Sequence, residues 1–477
     1  MRVLLFLVAW AALCAGAPAP PPPPLWYFAP VLSGGGYSTE AIALLHGLVN
    51  VLPADEKPSA VRVSHHGDAI STEHYLGLPD HYREALDAAM RPRPPLPARD
   101  FVVVCHSEPG AWDPPRYHTT RCPPEGYGRA GALAVIGRTM FETDRLEDEH
   151  VRRCNRMREV WVPTSWSARV FEAAGVRKEK IRVVPEAVDV DAFDPAAFST
   201  ATGGGDRAPY DATGNGVLAV GPRLDDDAAS GVTKFLSVFK WEARKAPEVL
   251  LDAYFREFSA SDAVALFLRC ELFHEDGRDL VRERVVAAAK DAFHATPKSE
   301  GKRLWGTPDG EGVDAAIRSR APRVFILPRA SDEEMPSLYA AADAFVLPSR
   351  GEGWGRPHVE AMAMALPVIA TNWSGPTEFM TEANSYPVRI EDALVALPEE
   401  SAFRTHKWAQ PSATALRAAM RAVASNPREA KAKGENARRT MVERFSPRVV
   451  AELVTEELRR VAAKARRRTR AGDEDEL

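Results

Sequence analysis

Cysteine is scarce in this chain: five residues among 477, with no C-x-x-C pair. Zinc fingers and ribbons use that spacing, so a structural zinc site is not expected. Charge of one sign is also missing. A net charge of −5 and a pI near 6.2 give no electrostatic footprint for nucleic acid as a partner. No apolar run reaches the roughly 20 residues that cross a bilayer, and no repeat of solenoid length is present. What the chain does have is 45% hydrophobic and 27% charged residues, the composition of a globular protein. Its length exceeds one ordinary core, so two domains are expected.

The ends carry processing signals. Arg2 precedes the apolar stretch VLLFLVAWAALCAGA, which ends in small residues at Ala15 and Ala17 before a proline-rich run to Pro24. That pattern reads as a secretory signal peptide over residues 1–19. The acidic tail, residues 471–477, closes on Glu474-Asp475-Glu476-Leu477, which resembles lumenal retrieval signals; a solvated acidic end is the plainer reading. Together the ends predict the lumen of the endoplasmic reticulum, with its retrieval receptor as a partner. In that compartment Cys105, Cys122 and Cys154 either supply one disulfide or stay as buried thiols, and Cys270 stands apart.

Between the ends, short apolar strands alternate with helical patterns. Leu25–Phe28, Val61–Ser64, Phe101–Cys105, Glu159–Pro163 and Ile181–Val184 read as strands, with helices at Thr39–Val51 and Ser167–Ala174. A Gly-, Asp- and Ala-rich stretch at 199–231 reads as a linker or insertion. The rhythm then resumes with strands Phe235–Phe239, Val264–Cys270, Val324–Leu327, Ala344–Leu347 and Pro367–Ala370. Strands alternating with helices predict parallel sheets covered on both faces. The predicted fold is therefore α/β, with two Rossmann-like doubly wound domains at 25–198 and 232–445. A last helix at 446–470 starts at Pro447 behind a Ser446 cap.

The most informative segment runs from Leu347 to Met380: LPSRGEGWGRPHVEAMAMALPVIATNWSGPTEFM. It leaves a strand, passes Gly351, Gly353 and Gly355, and enters a helix near Pro357. Glycines let a backbone approach a ligand, and a helix N-terminus offers free N–H groups to an anion. Ser374-Gly375-Pro376 forms a second such turn, so the pair reads as a phosphate cradle. Glu352 and Glu360 flank it. Eight helical residues rise about 12 Å, against about 5–9.5 Å for a glycosidase pair, so the two carboxylates suit two parts of one extended ligand. A glycine-rich turn followed by a helix with a favourable carboxylate is the structural alternative. Asn372-Trp373-Ser374 is a glycosylation sequence, expected to stay unmodified because it sits between a buried strand and the cradle.

This stretch resembles the E-x7-E motif of retaining "group 1" glycosyltransferases of the GT-B fold. Pro348-Ser349, the EAMA of Glu360–Ala363 and Pro367-Val368-Ile369-Ala370 match as well. Upstream, FLSVFKWEARKAPEVLLDAY resembles the family's donor-diphosphate segment, with Lys240 and Lys245 at its basic positions. Lys240 departs from the more usual arginine and lacks its bidentate fork. The N-terminal half matches more loosely, through Ser33-Gly34-Gly35-Gly36-Tyr37, Trp161–Ser165 and VPEAVD at Val184–Asp189, where Glu186-Ala187 replaces a polar-glycine pair. Asp189-Val190-Asp191 reads as an acidic turn rather than a metal-binding D-x-D.

The resemblance implies two domains facing a central cleft and transfer of a sugar from a nucleotide-sugar donor to an unknown acceptor. It implies retained configuration, no metal and no separate cofactor. Glu352 would face the donor sugar, Glu360 the ribose, and Lys240 and Lys245 the diphosphate, whose charge grows as the glycosidic bond breaks. Gly35, Gly36, Gly353, Trp354 and Gly355 complete the expected donor site. His106 is the candidate beside the sugar and acceptor, with a locally hydrogen-bonded histidine as its alternative; Glu108 and His150 are weaker candidates. A phosphorylase, a nucleotide-sugar epimerase of the same fold and an inactive lumenal sugar-binding protein are the rival readings.

Overall fold

Short strands with near-continuous apolar character are what a sheet covered on both faces needs, and they build two sheets here. The computed structural model describes residues 20–124, 131–198, 217–222, 231–272, 277–295, 305 and 312–471. The expected signal peptide, most of the 199–231 linker and the tail beyond Ala471 lie outside the described residues. No helix among the described residues is long and apolar enough to cross a membrane.

The first sheet holds β1 (Leu25–Ala29), β2 (Val61–His65), β3 (Val102–His106), β4 (Ala134–Arg138), β5 (Glu159–Val162) and β6 (Ile181–Val183). They run in the order β2-β1-β3-β4-β5-β6, all parallel. Because side chains alternate along a strand, Tyr27, Val102 and Val104 enter one core and Phe28, Val103 and Cys105 the other. The second sheet holds β7 (Val217–Val220), β8 (Thr233–Lys240), β9 (Val264–Glu271), β10 (Arg323–Ile326), β11 (Ala344–Leu347), β12 (Val368–Thr371) and β13 (Ser385–Val388). Its order is β13-β12-β11-β8-β9-β10-β7, parallel except for β7, which pairs antiparallel with β10. The doubly wound architecture is as expected from the sequence. Strands β4, β7 and β13 add to the expected set, β7 from within the span read as a linker, as does a small antiparallel pair, Val395–Ala396 with Lys407–Trp408.

Each sheet reverses its winding at one point, and ligands of such sheets sit outside the strand ends there. In the first sheet that point lies between β1 and β3; in the second it lies between β8 and β11. The helix Pro447–Ala471 returns to the first lobe, where Val450, Ala451, Val454, Leu458 and Val461 join the core under β1 and β3. Gly47 is required for that return: a Cβ there would stand 2.6 Å from the Pro447 carbonyl oxygen. Cys105 and Cys122 form a disulfide, while Cys154 and Cys270 are free thiols.

Candidate active site in the interlobe cleft

A cavity of about 910 Å³ lies between the lobes, over the two winding reversals. From the first lobe it is lined by the Gly34–Tyr37 loop after β1, by Glu142 and by Glu186. From the second it is lined by Lys240 at the end of β8, Arg244, Lys245 and the Glu352–Glu360 segment after β11. The loop after β11 is shaped by its glycines. Gly355 adopts φ +114 and caps the helix Arg356–Ala363, a conformation L side chains rarely hold. A Cβ at Gly351 would meet the Glu142 carbonyl oxygen of the other lobe at 2.0 Å.

Glu352 is buried and fixed from several directions. Its Oε1 accepts from Lys245 Nζ at 2.5 Å and Ser349 Oγ at 2.6 Å, and its Oε2 accepts from Arg244 NH1 at 2.8 Å. Burial raises its pKa, but the Lys245 and Arg244 charges outweigh burial and hold it well below the carboxylate range. Lys245 has a lowered pKa, from burial first and then from the Arg244 guanidinium. Arg244 also pairs with Glu242 at 2.8 Å. With Lys240 beside them, three cations meet three carboxylates on this wall, because Glu142 of the other lobe stands 3.9 Å from Arg244.

Glu360 lies one helix turn beyond the entrance. Tyr339 donates to its Oε2 at 3.0 Å, and Arg356 Nε stands 3.8 Å from Oε1. Burial dominates and pushes its pKa up to about 7, against the lowering effects of Arg356 and Tyr339. The two glutamates thus differ: one is a locked carboxylate, the other is poised to titrate.

The structure gathers Gly35, Gly36, Lys240, Lys245, Glu352, Gly353, Trp354, Gly355 and Glu360 around one cavity. Trp354 is only 2% exposed, its ring packed on Phe379 and Phe445, so it serves mainly the core. His106 does not line the cavity. It is fully buried, accepting at Nδ1 from the Tyr27 hydroxyl at 2.5 Å and donating from Nε2 to Glu40 at 2.9 Å. Glu40 also binds Arg138, and burial lowers the His106 pKa. Tyr37, edge-on to its ring at 5.3 Å, separates His106 from the cleft. His106 thus takes the alternative form, a locally hydrogen-bonded histidine behind Tyr37, and is not placed to touch the sugar. Glu108 and His150 stand together at 3.6 Å, also away from the cavity.

Two further expectations change. The Ser374 turn backs the first turn instead of opening to the cavity, because Ser374 Oγ accepts from Glu352 N at 2.9 Å and Gly375 N donates to Glu352 O at 3.0 Å. Its Gly375 N–H is thereby used inside the protein, and a short 3-10 turn follows. Asn372 is exposed although Ser374 is buried, so shielding of the asparagine is not a reason for its staying unmodified. Arg244, Arg356 and Glu186 were not among the expected site residues. Arg244 sits between Lys240 and Lys245, the two basic positions of the segment.

Asp189 forms the expected acidic turn, its Oδ1 accepting from Asp191 N at 3.2 Å and Ala192 N at 2.9 Å. Among the described residues, His46, His81 and Asp189 are the group able to hold a metal, with ligand atoms all within 4.8 Å of one another. Asp189 Oδ2 is already engaged by the Tyr82 hydroxyl at 2.5 Å, which fits a structural turn.

Residues 286–403 match the model of the family described as "Glycosyl transferases group 1". A D-inositol 3-phosphate glycosyltransferase of Salinispora tropica is 29% identical over 204 residues, covering 41% of this chain and 33% of its own length. An O-antigen chain mannosyltransferase B of Escherichia coli is 46% identical over 52 residues, covering 11% of this chain and 14% of its own. The chain thus spans a third or less of these relatives. Among solved structures, Anabaena HepE in complex with UDP-glucose superposes with a TM-score of 0.53 at 14% identity, covering 91% of this chain and 99% of the other. Sucrose-phosphate synthase from Thermosynechococcus elongatus gives 0.54 at 15% identity, covering 93% and 100%. At such identity the likeness speaks for the two-lobed GT-B fold alone.

Proposed function

From the premise that this chain carries a group 1 glycosyltransferase domain on a GT-B frame, we propose that it transfers a sugar from a nucleotide-sugar donor to an acceptor, with retained configuration. The observation that carries this reading is the pair of cations at the cleft, Lys245 and Arg244, held side by side on the buried Glu352. A nucleoside diphosphate leaving group gains charge as its bond to the sugar breaks. Fixed cations already aimed at that position stabilise the developing charge without reorganising. Glu352, locked as a carboxylate, faces the donor sugar, and Glu360 in its ionised form accepts the ribose hydroxyls. Because Lys240, Arg244 and Lys245 supply the counter-charge, the reaction needs no divalent cation. Lobe closure would exclude water that otherwise hydrolyses the donor.

The compartment is proposed from the two ends of the chain: a soluble protein of the endoplasmic reticulum lumen, returned there by a retrieval receptor. The disulfide Cys105–Cys122 supports an oxidising compartment. The test of function is a screen of purified protein against UDP-, GDP- and ADP-sugars, scoring release of the nucleoside diphosphate. Release from one donor class, lost in Lys245→Ala, is the expected result. No release and no binding across the panel would reject sugar transfer.

A further inference from the structure

Glu186, in the loop after β6, lines the cleft and is 2% exposed. Neither of its carboxyl oxygens has a hydrogen-bond partner. The nearby cations do not hydrogen-bond to it, although Arg356 Nε is itself without a hydrogen-bond partner. Arg356 stays 4.0 Å from Oε2 and gives its NH1 proton to the Ala187 carbonyl. Arg138 serves Glu40 and the Val184 and Pro185 carbonyls. Buried polar groups in native proteins are almost always satisfied, so an open pair of oxygens at a cavity wall points to a missing partner.

The chemistry of that partner follows from the state of the carboxyl. Burial first, then the Glu40 charge, pushes the Glu186 pKa well above the usual range despite Arg356 and Arg138. As a neutral acid it offers one O–H donor and one carbonyl acceptor. A phosphate oxygen only accepts and would leave the carbonyl open. A pair of neighbouring ring hydroxyls, one accepting and one donating, satisfies both. Glu186 lines the same cavity as Glu352, the carboxylate assigned above to the donor sugar.

We propose that Glu186 is a specificity-determining residue that reads neighbouring hydroxyls of the transferred sugar ring from the first lobe. The proposal rests on the sugar-transfer reading above. Such a residue trades stability for recognition, since an unpartnered buried carboxyl is unfavourable until the ligand arrives.

Calorimetry with the purified full chain tests it, using UDP-glucose beside UDP, and GDP-mannose beside GDP. Glu186→Met keeps the volume and removes both polar atoms; Glu186→Gln keeps a donor and an acceptor. The Met variant should bind the free diphosphate like wild type and the intact nucleotide sugar about 10-fold more weakly. The Gln variant should stay within about threefold of wild type for both. The thermal midpoint of the Met variant should be unchanged or higher. A lowered midpoint with equal losses for sugar and diphosphate would make Glu186 structural, overturning the proposal. Unchanged nucleotide-sugar affinity in the Met variant, a Gln variant as weak as Met, or a loss seen only in acceptor KM would overturn it too. Absence of any nucleotide binding by wild type would instead reject the sugar-transfer reading, and this proposal with it.

Discussion

Glu360 offers a direct reading of how the nucleotide is held. Its pKa stands near 7 because burial outweighs the help of Arg356 and Tyr339, with Asp332 adding repulsion. Only the ionised form can accept two ribose hydroxyls. About a tenth of the molecules carry that form at pH 6 and about nine tenths at pH 8, so affinity should rise roughly 10-fold over that window. The probe should be an intact nucleotide sugar, whose bridging diphosphate keeps a constant charge across it, and the assay isothermal calorimetry at several pH values. Glu360→Gln should flatten the profile. At pH 8 it should also weaken binding by about 10- to 150-fold, the range for hydrogen bonds to a charged group. Affinity that grows on acidification, or a Gln variant with the wild-type profile, would refute the assignment of Glu360 to the ribose.

Other expectations follow from the same cluster and from the chain ends. Glu352→Gln should slow turnover while leaving nucleoside diphosphate affinity nearly unchanged, and should destabilise the fold by about 3 kcal/mol by stranding the buried Lys245, read from denaturant midpoints. In the wild type, the stability from that lowered carboxylate is present above the ordinary value of 4.5 and should be lost as pH falls below it, seen as a steep acid limb that the Gln variant lacks. Activity should survive EDTA; full loss restored by manganese would assign the counter-charge to a metal. Residues appended after Leu477 should cause secretion from cells, and retention of the extended form would make the tail a solvated end.

Much of this cleft was legible before any coordinates. The E-x7-E spacing located both glutamates, and the apolar runs placed most strands to within a residue or two, because parallel strands buried on both faces need such runs. Strand β4 escaped because Gly137 lowers its strand character. That glycine is demanded by the Trp112 ring, which a Cβ would meet at 2.3 Å and which no local pattern reveals. His106 shows a different limit. Its place at the end of β3 was clear, but which face a strand-end side chain takes depends on what lies beneath it, here Glu40 and Tyr27. Glu186 was visible as an unusual residue in VPEAVD, yet its lack of partners exists only in three dimensions. The same holds for the Ser374 turn, whose Gly375 N–H donates to the Glu352 carbonyl instead of facing a ligand.

The measurement closest to the central claim is a structure of the purified protein with its bound nucleotide-sugar donor. The diphosphate should lie within hydrogen-bond distance of Lys245 Nζ, with the ribose on Glu360 and the sugar between Glu352 and Glu186. Lys245→Ala, soaked in parallel, should show weakened diphosphate density. A nucleotide bound elsewhere, or one in this cleft with its diphosphate turned away from Lys240, Arg244 and Lys245, would contradict the account.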